Sequence, residues 1–513
     1  MSQNSLLEKF NLNIIKWYPF ENDKTLLQIG NNENLEKYLK NILKDVKSTK
    51  IIQDAEQFNM LFDYILIYGY EGQDNIMENA KKYLNKNGKV LIIGNNDLGI
   101  NTWSKYDITR TSGILKLENN FKIKTIKNVL KELETNNYKI QNTFYIFPDY
   151  SKAEIIINKN FKVDGTKIDK YNPNIFENDI KVFNEKDVLK TIINNDSNML
   201  ETFANSYFIE ATKSTDSYEN IEEEKRNKED SNSIKYVSFN NSRKEQYQLI
   251  TIIKNDIVEK LPANINSKSH IENMSNIIEQ INNDNINILD YFKDGKIYSK
   301  LIKDKLTLDE ILLKKSDDLD KVADILNNLR KVLLTNSLRY SECYDKIQYR
   351  KEEKIMQKLN YMKHGYWDMV AKNCFYIDNQ FVFFDQEWEE DYLPVEFILY
   401  RSIINSYELV KKIKIDELLE KLNILEYKNF FDEIDIKLRE KILNKEIFDA
   451  MYKKDNLKAI DNLINENKSY ILDIKNKEEY IANLENYYNS LKEDNEKKQE
   501  YITNLENALK KKR

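Results

Sequence analysis

Histidine, cysteine, glycine and any excess of basic charge are scarce in this sequence. Two histidines (His270, His364) and two cysteines (Cys343, Cys374) cannot build a Cys/His zinc site, which excludes a structural zinc domain. So few cysteines also suit a reducing compartment without a disulfide framework. Lys plus Arg number 79 against 85 Asp plus Glu, a net charge of −6, with both signs interspersed, and this excludes a nucleic-acid footprint. No apolar run approaches the ~18 residues that a membrane helix needs. Met1 to Phe20 lacks a basic stretch followed by an apolar one, so the expectation is a cytoplasmic protein with no membrane span and no nucleic-acid partner. The ten glycines form neither of the common glycine-rich phosphate loops.

What is present points to packed domains. Hydrophobic residues make up 41% and aromatic residues 12% of 513 residues, enough for cores, and the length suggests roughly two to four folding units. Leu26, Leu27 and Ile29 run into Gly30, and a helical pattern with Leu35, Leu39 and Ile42 follows. Phe62 to Tyr68 reads as a buried strand, Ile76 to Leu84 as a helix, Lys89 to Gly94 as a strand opened by an Asn87-Gly88 turn, and Ile126 to Asn136 as a helix. This alternation predicts an α/β domain with a parallel sheet. Residues 211–235 carry almost no large apolar side chains and are read as a charged linker. Beyond it, strands are expected at Lys235 to Phe239, Gln246 to Ile253 and Ile257 to Lys260, then a helix near His270 to Ile281 and a hairpin turning at Asp294-Gly295. The region after Thr307 is mainly helical, interrupted by two short strands around Asp378-Asn379-Gln380. At the end, Ile474, Ile481, Tyr488, Asn495, Ile502 and Leu509 recur every seven residues, with Leu484, Leu491 and Leu505 three after an a position. That is a heptad seam, and residues 467–513 are expected to form a coiled coil that makes the chain a homo-oligomer.

Two constellations are candidates for chemistry. The first is the turn at Gly30, where a nucleotide-type ligand would sit at the carboxyl end of a strand, with Asp54 as the acid for a ribose. Asn31, Asn32 and Glu33 stand where further glycines would let a backbone approach the ligand. The second is residues 364–388, HGYWDMVAKNCFYIDNQFVFFDQEW. Asp368 and Asn373 are five apart, and Asp385 closes the strand pair that Asn373 opens. A kinase centre needs that spacing: the first Asp orients the attacking hydroxyl and takes its proton, while Asn373 and Asp385 hold Mg²⁺ against the phosphates of ATP. Lys260, at the end of a short strand, is the expected phosphate-contacting lysine, with Glu279 or, less well spaced, Glu272 as its ion-pair partner. His364 is expected to pack, and Trp367, Phe375, Tyr376, Phe381, Phe383, Phe384 and Trp388 are read as core.

The segments WYPF (17–20), LLQIG (26–30), FDYILIYG (62–69), NGKVLIIGNNDLG (87–99) and FPDY (147–150) resemble the class I S-adenosylmethionine-dependent methyltransferase-like half of bacterial surface-polysaccharide proteins. The interval between Leu43 and Phe62 leaves little room for that family's second strand and helix. Residues 236–455 resemble the aminoglycoside-phosphotransferase and lipopolysaccharide-kinase group, and FDQEW with LPVEFILYR (393–401) is similar to the second half of the same polysaccharide proteins. The resemblance implies a shortened, degenerate Rossmann-like methyltransferase-type domain (1–210), a charged linker (211–235), a two-lobed kinase-like α+β domain (236–466) and the coil. It implies phosphotransfer from Mg-ATP to a hydroxyl, a sugar's included, in glycan assembly. The alternatives are a non-catalytic scaffold partnering glycan-assembly enzymes and an S-adenosylmethionine methyltransferase. The missing glycines weigh against S-adenosylmethionine as a cofactor.

Overall fold

The computed structural model describes residues 10–72, 75–107, 124–163, 165–173, 179–181, 183–214, 233–303, 305–451 and 457–511. Most of the expected linker lies outside these residues. The chain divides into two units, one within 1–103, 115–175 and 185–453, the other within 104–114, 176–184 and 454–513.

In chain order the strands are β1 (Thr25–Ile29), β2 (Asp45–Thr49), β3 (Phe62–Tyr68), β4 (Leu84–Asn95), β5 (Lys105–Asp107), β6 (Tyr138–Phe147), β7 (Ile155–Asn158), β8 (Asp179–Lys181), β9 (Ser206–Lys213), β10 (Tyr236–Phe239), β11 (Leu249–Ile253), β12 (Ile257–Pro262), β13 (Asp290–Lys293), β14 (Lys296–Lys300), β15 (Ser337–Arg339), β16 (Asn360–Tyr366), β17 (Cys374–Ile377), β18 (Gln380–Phe383) and β19 (Glu389–Pro394).

Twelve of them form one mixed sheet in the first unit, ordered β13-β14-β12-β11-β10-β7-β6-β9-β4-β3-β1-β2. Strands β2, β1, β3 and β4 run parallel. Their burial on both faces explains the near-continuous apolar runs Leu26–Ile29 and Tyr64–Ile67. The remaining pairings in the sheet are antiparallel. The interval after Leu43 is used more fully than its length promised: it accommodates β2 and a 3₁₀ helix, Ile52–Phe58. Asn87-Gly88 does not open a strand. It lies inside β4, in a bulge between the pairs Phe62↔Leu84 and Tyr64↔Lys89.

The sheet does not end where the linker was expected to separate two domains. Tyr236, Val237 and Ser238 of β10 pair with Ile157, Ile156 and Ile155 of β7. One apolar core accordingly runs from Ile14, Trp17 and Leu26 through Phe144 and Phe208 to Val237, Phe239, Ile250 and Ile252. A second core gathers the helices 308–314, 319–334, 395–404 and 428–442 around Tyr366, Trp367, Phe381 and Phe383, so Trp367, Phe381 and Phe383 are packing residues as expected. Both two-residue turns carry positive φ at each centre, Asp294 and Gly295 at 50° and 72°, Asp378 and Asn379 at 50° and 60°. That is the hairpin turn Asp, Asn and Gly favour.

In the second unit, β5 pairs antiparallel with β8, and one helix runs from Leu457 to Lys510 over 54 residues. Along it Ile474, Ile481, Leu484, Tyr488, Leu491, Ile502, Leu505 and Leu509 are all exposed.

Candidate active site

The Gly30 turn comes first in the chain. Gly30 has φ +100°, and a Cβ there would lie 2.6 Å from the Tyr68 carbonyl oxygen. The bare backbone is thus required by the neighbouring strand, with or without a ligand. Its amide donates to the Thr49 carbonyl at 3.0 Å. The buried Gln28 side chain spans the turn from below, its Nε2 donating to the Gly30 and Asn32 carbonyls at 3.1 and 3.2 Å. Asn32 caps the following helix by accepting from the Leu35 amide at 3.0 Å, the N-cap role its type predicts. Asp54 is exposed on the 3₁₀ helix after β2, with Thr49 Oγ1 3.5 Å from its carboxylate. Gly30 and Asp54 therefore flank Thr49 at the carboxyl ends of β1 and β2.

The second constellation converges. The β17–β18 hairpin brings its ends together, and the Phe384 amide donates to the Asn373 carbonyl at 3.0 Å, which sets Asn373 beside Asp385. Asn373 is buried, and its Nδ2 donates to the Asp368 carbonyl at 3.1 Å. Gln386 ties the same segments: its Nε2 donates to the Asp368 and Phe384 carbonyls at 3.1 and 2.8 Å, and its amide donates to Asp290 Oδ2 at 3.0 Å. Asp385 itself sits at φ +62°, a left-handed conformation costly for a non-glycine residue and typical of sites whose surroundings over-determine it. From β12, the buried Lys260 Nζ donates to both Asp385 and Glu387. Asp368, Asn373, Asp385 and Lys260 are thus brought together.

Glu279 is not part of this arrangement. The helix Lys268–Asn283 buries His270, Ile271, Met274, Ile277, Ile278 and Ile281, and Glu279, like Glu272, is exposed on the other side. Glu387 takes the place expected of it. It is buried and accepts from Lys260 and, at 2.5 Å, from Arg243 Nη1. Burial alone would raise the Glu387 carboxyl, but Arg243 and Lys260 hold it well below the usual carboxylate range. Burial alone would likewise lower the Lys260 ammonium, yet Asp385 and Glu387 raise it overall. His270, which occupies the helix face toward the site, lies 4.0 Å from Glu387 and stacks on Trp388 at 4.5 Å. His364 is partly exposed, its ring stacked 6.4 Å from that of Tyr366; Tyr366, two before Asp368, donates from its hydroxyl to Asp284 at 2.9 Å.

Sequence reasoning also passed over Asp290 and Arg401. Asp290, on β13, is pushed up to about 6, chiefly by burial, against the hydrogen bond from the Gln386 amide. Arg401, the last residue of LPVEFILYR, donates from Nε to the Trp367 carbonyl at 3.0 Å, lies 4.5 Å over the Trp367 ring and pairs with Asp435. It braces the loop that carries Asp368. Burial first, and the Glu387 carboxylate next, push Asp368 up to about 6, with Arg401 and Lys372 opposing.

The donor set fits the magnesium ion that a kinase-like centre implies. All its groups are oxygens, as Mg²⁺ prefers, and because Asn373 commits its Nδ2 to the loop, its carbonyl oxygen is left to accept. Asp290 Oδ1 and Gln386 Oε1, at the same place, are buried without a hydrogen-bond partner, which is the signature of a missing donor or cation.

Neither protein-family models nor curated proteins give a match to this chain. Among solved structures it is similar to the phosphoethanolamine N-methyltransferase 2 of Haemonchus contortus with phosphomonomethylethanolamine and S-adenosylhomocysteine, at 13% identity and TM-score 0.22, over 40% of this chain and 52% of that one. The chain thus spans about half the length of that methyltransferase. It is also similar to LicA in complex with AMP, at 15% identity and TM-score 0.21 over 43% and 92% of the two chains. A third is APH(2″)-IIa with streptomycin and ATP, at 12% identity and TM-score 0.23 over 47% and 98%.

Proposed function

We propose that the chain is a kinase-like phosphotransferase that moves the terminal phosphoryl group of Mg-ATP to a hydroxyl. The observation that supports this most directly is the convergence of Lys260 with Asp385, Asn373 and Asp368, four residues drawn from β12, the two ends of one hairpin and the loop that leads into it. In this reading Asp368 orients the acceptor hydroxyl and takes its proton while the new O–P bond forms and the bond to the ADP oxygen breaks. Asn373 and Asp385 hold the magnesium ion, which when bound neutralises phosphate charge. Lys260 exchanges its contact with Asp385 for the nucleotide phosphates, and Glu387 keeps it aimed. A sugar hydroxyl as acceptor, in surface-polysaccharide or glycan assembly, rests on the family resemblance of FDQEW and LPVEFILYR.

The test is calorimetric titration of the full chain with ATP, with and without Mg²⁺. Magnesium-dependent binding supports phosphotransfer. A folded chain without affinity at millimolar ATP rejects it and leaves the scaffold reading, which one observation favours: the 240–248 connection, where a glycine-rich loop would lie, has no glycine.

The Asp368 carboxyl makes the activity pH-dependent. A base must be unprotonated, and a group pushed up to about 6 gains that form as pH rises, so kcat/KM should climb through about pH 6 and level above it. An acid limb near pH 4 in a full pH profile would contradict the assignment.

The exposed seam of the 457–510 helix is assigned to a second copy of the chain. Ending the chain after Glu466 removes the seam, and multi-angle light scattering should then report a monomer where the full chain is a dimer or larger. A full-length monomer at micromolar concentration refutes this.

A further inference from the structure

The two strands that enter and leave the catalytic loop carry a second cluster of metal-ligating groups. β16 ends two residues before Asp368, and β19 begins two residues after Glu387. They pair antiparallel, His364 opposite Asp391 and Tyr366 opposite Glu389. Side chains alternate along a strand, so His364, Glu389 and Asp391 share one face of the ribbon. One ligand atom from each lies within 4.8 Å of the other two, and His364 Nδ1 is 2.5 Å from Glu389 Oε1. Glu390, on the other face, pairs with Lys441, whereas among the described residues neither Glu389 nor Asp391 forms an ion pair with lysine or arginine. Two carboxylates two residues apart on one face of the same strand repel each other.

We infer that His364, Glu389 and Asp391 bind a divalent transition-metal ion of the Zn²⁺ or Mn²⁺ class. One imidazole nitrogen with two carboxylate oxygens matches the preferences of these ions, whereas Mg²⁺ and Ca²⁺ favour oxygen alone and Cu⁺ favours sulfur. Three protein ligands leave a coordination position for water, and the exposed Asp391 gives the ion a path in. The site is distinct from the all-oxygen set at Asn373 and Asp385. Its effect is to fasten the segment before Asp368 to the segment after Glu387 by a link other than the backbone ladder, fixing the separation of the two stretches that carry the proton acceptor and the lysine's partners.

The experiment is calorimetric titration of the full chain, stripped with a chelator and free of nucleotide, with Zn²⁺ and separately with Mn²⁺. A single equivalent of at least one ion should bind in the micromolar range or tighter. His364→Gln and Asp391→Asn, each shown by circular dichroism to be folded, should weaken binding at least about ten-fold, the lower end of what losing even an outer-shell partner costs. Asp385→Asn should leave it unchanged. Bound metal should also raise the melting temperature of the wild type and not of the two variants. Absence of binding at high-micromolar metal, or binding that survives both variants, overturns the inference. With no nucleotide present, either result is independent of whether the loop transfers phosphate.

Discussion

Asp368→Asn is expected to lower phosphotransfer by ~10²–10⁴-fold, the usual cost of losing a general base, while Mg-ATP affinity stays within a few-fold of wild type. On the proposed function the two quantities separate because Asp368 would offer its side chain to the acceptor hydroxyl, while the Asn373 and Gln386 hydrogen bonds use only its backbone carbonyl, which survives the substitution. Asp385→Asn should show the opposite pattern, with nucleotide affinity itself weakened because the divalent ion loses an anionic oxygen. Stability gives an independent check. The Asp368 carboxyl is raised to about 6 from an unfolded value of ~3.9. It therefore costs nothing below about pH 4, becomes destabilising as pH rises from there to about 6, and is destabilising in full above. Asn carries no such charge, so at pH 7 the variant should melt no lower than wild type. A single-turnover assay, a binding titration and a melting curve suffice, and parallel loss of all three quantities would mark Asp368 as a packing residue.

Glu387→Gln should be the most destabilising single change at the site, by ~3–5 kcal/mol, because removing one member of a buried ion pair leaves its partner uncompensated. Two cations depend on this carboxylate, Lys260 and Arg243, and both come from the strands and loops that cover the site. Because the carboxyl is held well below its ordinary range, its contribution is present throughout neutral pH and is lost only as pH falls through that lowered value. Equilibrium urea unfolding measures it. Glu279→Gln is the control: an exposed residue on the far side of its helix should change stability by no more than ~0.5 kcal/mol. Equal effects of the two substitutions would restore Glu279 as the partner of the lysine.

The difference between those two glutamates shows what the sequence carries and what it does not. Asp368, Asn373 and Asp385 were legible because a hairpin fixes their spacing locally, and the Asp378-Asn379 and Asp294-Gly295 turns announce themselves by residue type. The helix 268–283 was legible too, but its period names a buried face without saying that His270, rather than a glutamate, stands beside Glu387. Glu387 lay in plain view two residues past Asp385. The left-handed backbone at Asp385 precedes it, a conformation that Asp tolerates without its presence requiring it. Asp290 reaches the site through β13, whose alternation gives its faces and not its neighbours. The pairing of β10 with β7 is of the same kind: an edge chooses its partner by a complementarity spread over residues some eighty positions apart, which no local window contains.

That pairing has a mechanical consequence. Kinase-like clefts work by hinge motion, a few residues absorbing the change while packed bodies move as wholes. Here the strand that carries Lys260 is not free to swing alone. Bending the sheet between β7 and β10 would break their ladder and split the core that joins Phe144 and Phe208 to Val237 and Ile252. Any closure of β10–β14 must carry β1–β4, β6, β7 and β9, the other strands of the same sheet, with it. A contact or crosslink applied at the distant β2 edge is therefore coupled through one continuous sheet to the strand that carries Lys260.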